Sequence, residues 1–157
     1  MSESGYYGRV PGENSDGTPV YANDLDMANE GEVRGALEAA WGCEVRPFGP
    51  LCPIDFYVLR DGRLAGVVEA KVRSHGSDRF ETVFLNVRKW LALRMAQEGL
   101  GVPAIFVVRF DDGIRWVKMD DVDARRVEMG GAARQVQSYT DYEPVILVPV
   151  GTMRVLK

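Results

Sequence analysis

The chain has 157 residues, 46% of them apolar and 27% charged, with a net charge of −4. This is the balance of one globular domain with room for a core, and no apolar run approaches the roughly 18 residues of a membrane span. Residues 1–17, MSESGYYGRVPGENSDG, lack a basic head and an apolar stretch, and two cysteines with one histidine are too few for a zinc site, so the sequence reads as a cytoplasmic protein with no membrane partner.

Residues 1–22 are rich in Gly, Ser, Pro and Asn, and read as a flexible arm ahead of a single domain over 23–157. A helix is predicted from Asp24 to Trp41, with Asn23 or Asp24 as its N-cap and Gly42 just past its end. Val33, Ala36, Leu37, Ala40 and Trp41 make its apolar stripe. Cys43–Phe48 reads as a first strand, stopped at Gly49-Pro50, and Cys43 and Cys52 read as small buried hydrophobes. Ile54–Leu59 and Leu64–Val72 read as two strands joined at Asp61-Gly62, a hairpin signal. A second helix ends near Gly99–Gly101, with Val87, Trp90, Leu91 and Met95 as its stripe. Asn86 can cap it, which leaves Thr82–Leu85 extended. Pro103–Phe110 and Ile114–Met119 are strands around the Asp112-Gly113 turn. The tail holds a Gly130-Gly131 turn and a last apolar run, and Arg134–Val150 reads as an added hairpin. The order predicts an α/β or α+β fold with a mixed sheet.

Charge is unevenly spread. Arg60–Arg94 holds eight basic and four acidic residues, a net +4 within a chain of −4. A basic middle suits a local anionic ligand, and equally a solvated surface.

The segment PIDFYVLRDGRLAGVVEAKVR, Pro53–Arg73, sets Asp55 in one apolar strand and Glu69-Ala70-Lys71 in the next. Alternation along the second strand puts Glu69, Lys71 and Arg73 on one face and Val68, Ala70 and Val72 on the other. Buried charges need partners or a metal. Asp55 and Glu69 together suit Mg²⁺ or Mn²⁺, with the Ala70 backbone carbonyl as a further oxygen ligand. Such an ion polarises a phosphoryl oxygen and lowers the pKa of its water, while Lys71 is placed to hold that water or to stabilise developing charge. The same pattern also suits a hairpin whose charged face is merely solvated.

Parity tests the shared site. A strict two-residue turn at Asp61-Gly62 pairs Asp55 with Val68 and turns Glu69 away from Asp55. A three-residue loop pairs Asp55 with Val67 and sets Glu69 diagonal to it, about 7–8 Å away between backbones. A bulge elsewhere in the hairpin also brings the two carboxylates to one face. The shared site therefore requires an odd loop or a bulge.

These residues, PID followed by VVEAKVR, resemble the signature of the PD-(D/E)xK nuclease superfamily, which includes type II restriction enzymes and archaeal-type Holliday-junction resolvases. Ile54 separates Pro53 from Asp55, where the family motif usually joins them. Element order is similar from about Leu25 to Phe110, and EGEVRGALEAAWG resembles the first helix of junction resolvases. The resemblance implies a restriction-endonuclease-like αβββαβ core, a mixed sheet flanked by helices, and a Mg²⁺-dependent deoxyribonuclease of phage type. It assigns the metal to Asp55 and Glu69, and water or charge to Lys71. It also implies a glutamate on the first helix as a further metal or water ligand. Glu30 lies roughly 50° from the centre of the apolar stripe and Glu32 roughly 110°, so Glu30 takes that role and Glu32 and Glu38 are solvated. Arg73, Lys89 and Arg88 become contacts to DNA phosphates, and small relatives often act as homodimers. Phe84, Trp90 and Phe106 read as core, and His75 as a loop residue without a ligand role. The alternatives are a catalytically inactive DNA-binding or assembly protein that keeps the nuclease fold, and a plain structural or protein-binding α/β domain.

Overall fold

Two helices and nine strands form among residues 24–130 and 143–157, the part of the chain that the computed structural model describes. The proposed arm over 1–22, the Asn23 cap and residues 131–142 of the C-terminal hairpin lie outside those residues. In chain order the elements are α1 (Asp24–Trp41), β1 (Glu44–Pro47), β2 (Phe56–Arg60), β3 (Arg63–Val72), β4 (Thr82–Asn86), α2 (Val87–Leu100), β5 (Ala104–Phe110), β6 (Gly113–Lys118), β7 (Val127–Gly130), β8 (Glu143–Pro149) and β9 (Arg154–Val155). No helix among them is long and apolar enough to cross a membrane.

The main sheet runs β1-β2-β3-β5-β6-β9 and is mixed, because β3 and β5 are parallel while its other neighbours are antiparallel. Its β-branched runs are buried on both faces, as a sheet covered on two sides demands. On one face Val33 and Leu37 of α1 pack on Phe56, Val58, Val68 and Val107. On the other, Leu93 of α2 joins Val67, Phe106 and Val108, together with Val83, Leu85, Ile146 and Val148 of a second sheet. That second sheet has the order β4-β8-β7. Each fully buried Val, Leu or Phe contributes about 1.5–3 kcal/mol. The two cysteines are free, half-buried thiols that pack against these cores.

The C-terminal segment is more than an added hairpin. β8 pairs with β7 and also with β4 from the middle of the chain, which makes it the centre of the second sheet.

The β2–β3 hairpin answers the parity question with a bulge. Asp61 and Gly62 both have positive φ (51° and 73°), the signature of a two-residue type I′ turn. Arg60 pairs with Arg63 and Leu59 with Leu64, but Val58 pairs with Gly66, so Ala65 is the extra residue. From there Phe56 faces Val68. Continuing by one residue sets Asp55 directly opposite Glu69, closer than the diagonal placement that a three-residue loop gives.

Helix α2 turns half of its predicted stripe inward, since Val87 and Trp90 pack against the core. Leu93 is fully buried, with Ala92 and Ala96 against the core, whereas Leu91 and Met95 are exposed. Positions 89, 93 and 96 share one helical face. Turning Leu93 inward therefore also turns Lys89 inward, where it meets a carboxylate of β3. On α1, Ala40 is likewise exposed, while Val33, Leu37 and Trp41 of the predicted stripe carry the contact.

Candidate functional site

β3 outruns β2. Pairing with β2 ends at Phe56–Val68, while β3 continues to Val72 beside β5. Val67 and Arg73 donate their backbone N–H groups toward β5, to the Pro103 and Arg109 carbonyls at 3.0 and 2.8 Å. Odd-numbered residues of β3 thus bond to β5, and even-numbered ones point to the edge that β2 leaves open. There the Ala70 N–H donates to Asp55 Oδ2 at 2.8 Å. The Ala70 carbonyl shares that direction, toward the Asp55 carboxylate.

A cleft of about 330 Å³ opens at this edge. Asp55, Glu69, Ala70, Lys71 and Arg73 line it from the strands, Asn29 and Glu30 from α1, and Asn86 and Lys89 from the end of β4 and the start of α2. Glu30 shares its helix face with Val33, which also lines the cleft. Glu32 instead meets Arg109 at 3.3 Å, away from the cleft. Glu38 is not solvated: its Oε1 accepts from the Val45 N–H at 2.9 Å and tethers the start of β1.

Glu69 is only 8% exposed. Burial and the facing Asp55 carboxylate push its carboxyl up to about 8, against the pull of Lys89. Lys89 Nζ lies 2.9 Å from one Glu69 oxygen and 3.1 Å from the other, and donates to the Pro53 carbonyl at 2.6 Å. Lys71 donates to the Phe84 carbonyl at 2.9 Å and contacts Asn86 Oδ1 at 3.4 Å. Burial and then the Arg73 charge pull Lys71 down to about 8. Burial also lowers Arg73.

Arg88 stands apart. It is more than half exposed and ion-pairs with Glu143 at 2.9 Å. Three participants escaped the sequence reading. Asn86 follows the cap prediction in position but makes no side-chain cap bond, and instead joins Lys71 to Glu143. Glu143 comes from β8, 57 residues further along. Asn29 reaches the cleft from α1. Asn86 alone had a local signal, being a polar residue at an outward position of a short strand.

The donor set fits a hard divalent cation. Two carboxylates face one another across the strand edge, burial and then their repulsion raise one of them, and a main-chain carbonyl points the same way. Among the described residues no group of three or more His, Cys, Asp or Glu side chains forms a complete ligand cage. Main-chain, water or substrate oxygens would have to complete the shell, as Mg²⁺ commonly requires.

A family model described as "Phage putative PDDEXK endonuclease" matches residues 17–156. Among solved structures, the Holliday junction resolvase Hjc of the archaeal hyperthermophile Archaeoglobus fulgidus superposes with a TM-score of 0.57 at 12% identity, covering 83% of this chain and 90% of that one. At that identity the likeness speaks for the fold, the resolvase-like nuclease arrangement of sheet and helices. No curated protein matches the sequence.

Proposed function

Because the chain belongs to the phage PDDEXK endonuclease family, a family of nucleases, we propose that it is a Mg²⁺- or Mn²⁺-dependent deoxyribonuclease working from the β3 cleft. The observation that carries this reading is the Asp55–Glu69 pair, set opposite each other by the Ala65 bulge with Lys71 one side-chain position further along the same face.

In this reading Asp55, Glu69 and the Ala70 carbonyl hold the ion, and Glu30 supports them from α1. The ion supplies Lewis-acid polarisation of the phosphoryl oxygen and a more acidic water. Lys71, pulled down to about 8, exchanges a proton at Nζ near neutral pH and carries positive charge toward the leaving or attacking oxygen. Phe84 and Asn86 fix where that nitrogen sits. Arg73 faces the incoming phosphate. With an ion bound, Lys89 would offer its charge to the DNA backbone from beside Glu69, and Arg88 on the rim would add a second cation. Cutting both strands of a duplex requires two such clefts, which a homodimer supplies.

The test is cleavage of supercoiled plasmid, single-stranded DNA and a four-way junction with Mg²⁺, Mn²⁺ or EDTA. Asp55→Asn and Lys71→Met, each checked for folding by circular dichroism, should lose about 10²–10⁴-fold in rate. A folded wild type that binds these DNAs and cuts none of them with either metal would favour the inactive binding-protein alternative.

A further inference from the structure

A second pocket adjoins the cleft. The loop between β3 and β4, with the outward face of β4, encloses about 290 Å³ lined by Arg73, His75, Phe80, Thr82, Val83 and Phe84. Arg73 lines both spaces. So does the face of β4: Asn86 points into the cleft, and Phe84 and Thr82 on the same side point into the pocket. Two residues along a strand span about 7 Å, so the pocket lies within a nucleotide or two of the phosphate that the cleft would cut.

Its chemistry is aromatic and cationic. Phe80 is 56% exposed and Phe84 38%, so Phe84 is not the core residue its sequence context suggested. The Arg79 guanidinium lies 5.7 Å from the Phe80 ring centroid, and His75 meets the same ring edge-on at 5.0 Å. Among the described residues no carboxylate lines the pocket. An exposed aromatic ring beside an arginine is how proteins hold the face of a base while its backbone is drawn along a positive groove.

The platform is rigid. Asp112 accepts from the Ser77 N–H at 2.7 Å and from the Ser77 hydroxyl at 2.6 Å, and the Asp111 N–H donates to the His75 carbonyl at 3.0 Å. The loop carrying Phe80 is thereby fixed to the β5–β6 turn before any ligand arrives.

We infer that this pocket receives an unpaired nucleobase of the DNA in the cleft, stacked on Phe80 beside Phe84. The inference rests on the deoxyribonuclease reading and narrows its substrate to DNA with an unpaired nucleotide near the cut. The volume is just below the roughly 300–1,000 Å³ of small-molecule pockets and accommodates one flat heterocycle.

The probe is a gapped duplex with a single unpaired 2-aminopurine, compared with the same length fully paired. Affinity is read by anisotropy and stacking by quenching, with the full chain and Ca²⁺ as the cation. Wild type should bind the gapped DNA more tightly and quench its emission. Phe80→Ala should lose about 5- to 100-fold on the gapped DNA alone, and Phe80→Trp should keep the preference. The residue is exposed, so the change leaves the core intact. A Phe80→Ala protein that loses nothing, or loses equally on both DNAs, overturns the inference while the nuclease reading stands. Wild type that binds neither DNA overturns both.

Discussion

Lys89 is the cation seated against Glu69 in this cleft. Its ammonium sits between Glu69 and the Pro53 carbonyl, with both ion-pair partners mostly buried. A buried Glu69 carboxylate without a cation would cost several kcal/mol, and the tethered lysine offsets that cost. Lys89→Met should therefore destabilise the metal-free protein above pH 8, where Glu69 is ionised, by up to about 3–5 kcal/mol for breaking a buried pair, and less at lower pH, where Glu69 holds a proton. Mg²⁺ should then raise the melting temperature of the variant more than that of wild type, because no ammonium competes for Glu69. Thermal unfolding with and without Mg²⁺ checks this, and an equal shift in both proteins would contradict it. Asp55, Glu69 and Lys71 were legible in the sequence because charge stands out within apolar strands. The pairing of Lys89 with Glu69 was not, since nothing in a helical repeat tells a lysine that faces water from one that faces a carboxylate.

Among the elements, the β2–β3 hairpin decides whether there is a site at all. The Asp61-Gly62 turn by itself sends Glu69 to the wrong face, and one extra residue, Ala65, restores it. A one-residue shift in register moves every side chain of a strand to its other face. Deleting Ala65 should thus remove metal-dependent cleavage and lower stability together, measured by plasmid cutting and thermal unfolding. Cleavage at the wild-type rate would show that the bulge does not set the pairing. The sequence demanded an odd loop or a bulge without saying which, and the one local signal for a bulge, Gly66 inside a β-branched run, also marks a close backbone approach. Helix α2 shows the same limit. Of the predicted stripe Val87 and Trp90 pack against the core, yet Leu91 and Met95 face out and the buried face runs on through Lys89, Leu93 and Ala96, set by the partner across the cleft.

Across the whole molecule, the order of elements was readable because period-two and period-3.6 patterns alternate with Gly, Pro and Asp-Gly breaks. The second sheet was not, because β4 and β8 lie some 60 residues apart and their pairing leaves no mark in either segment. That sheet matters for function: it brings Glu143 to the rim of the cleft, and its edge strand presents Asn86 to Lys71 and Phe84 to the neighbouring pocket. The basic stretch from Arg60 to Arg94 likewise acquires a meaning in three dimensions, since Lys71, Arg73 and Lys89 from it converge on one edge of β3. The central claim is that this edge exists to hold one divalent ion between Asp55 and Glu69. Calorimetric titration of Mn²⁺ into wild type and Asp55→Asn, at pH 8 and pH 6, tests it most directly. The Glu69 carboxyl, pushed up to about 8, keeps its proton as pH falls, and the ion must expel it, so affinity should weaken toward pH 6 by roughly tenfold per pH unit. The account predicts one ion per chain, weaker at pH 6 and lost in Asp55→Asn. Equal binding by both proteins, or binding that does not change with pH, would contradict it.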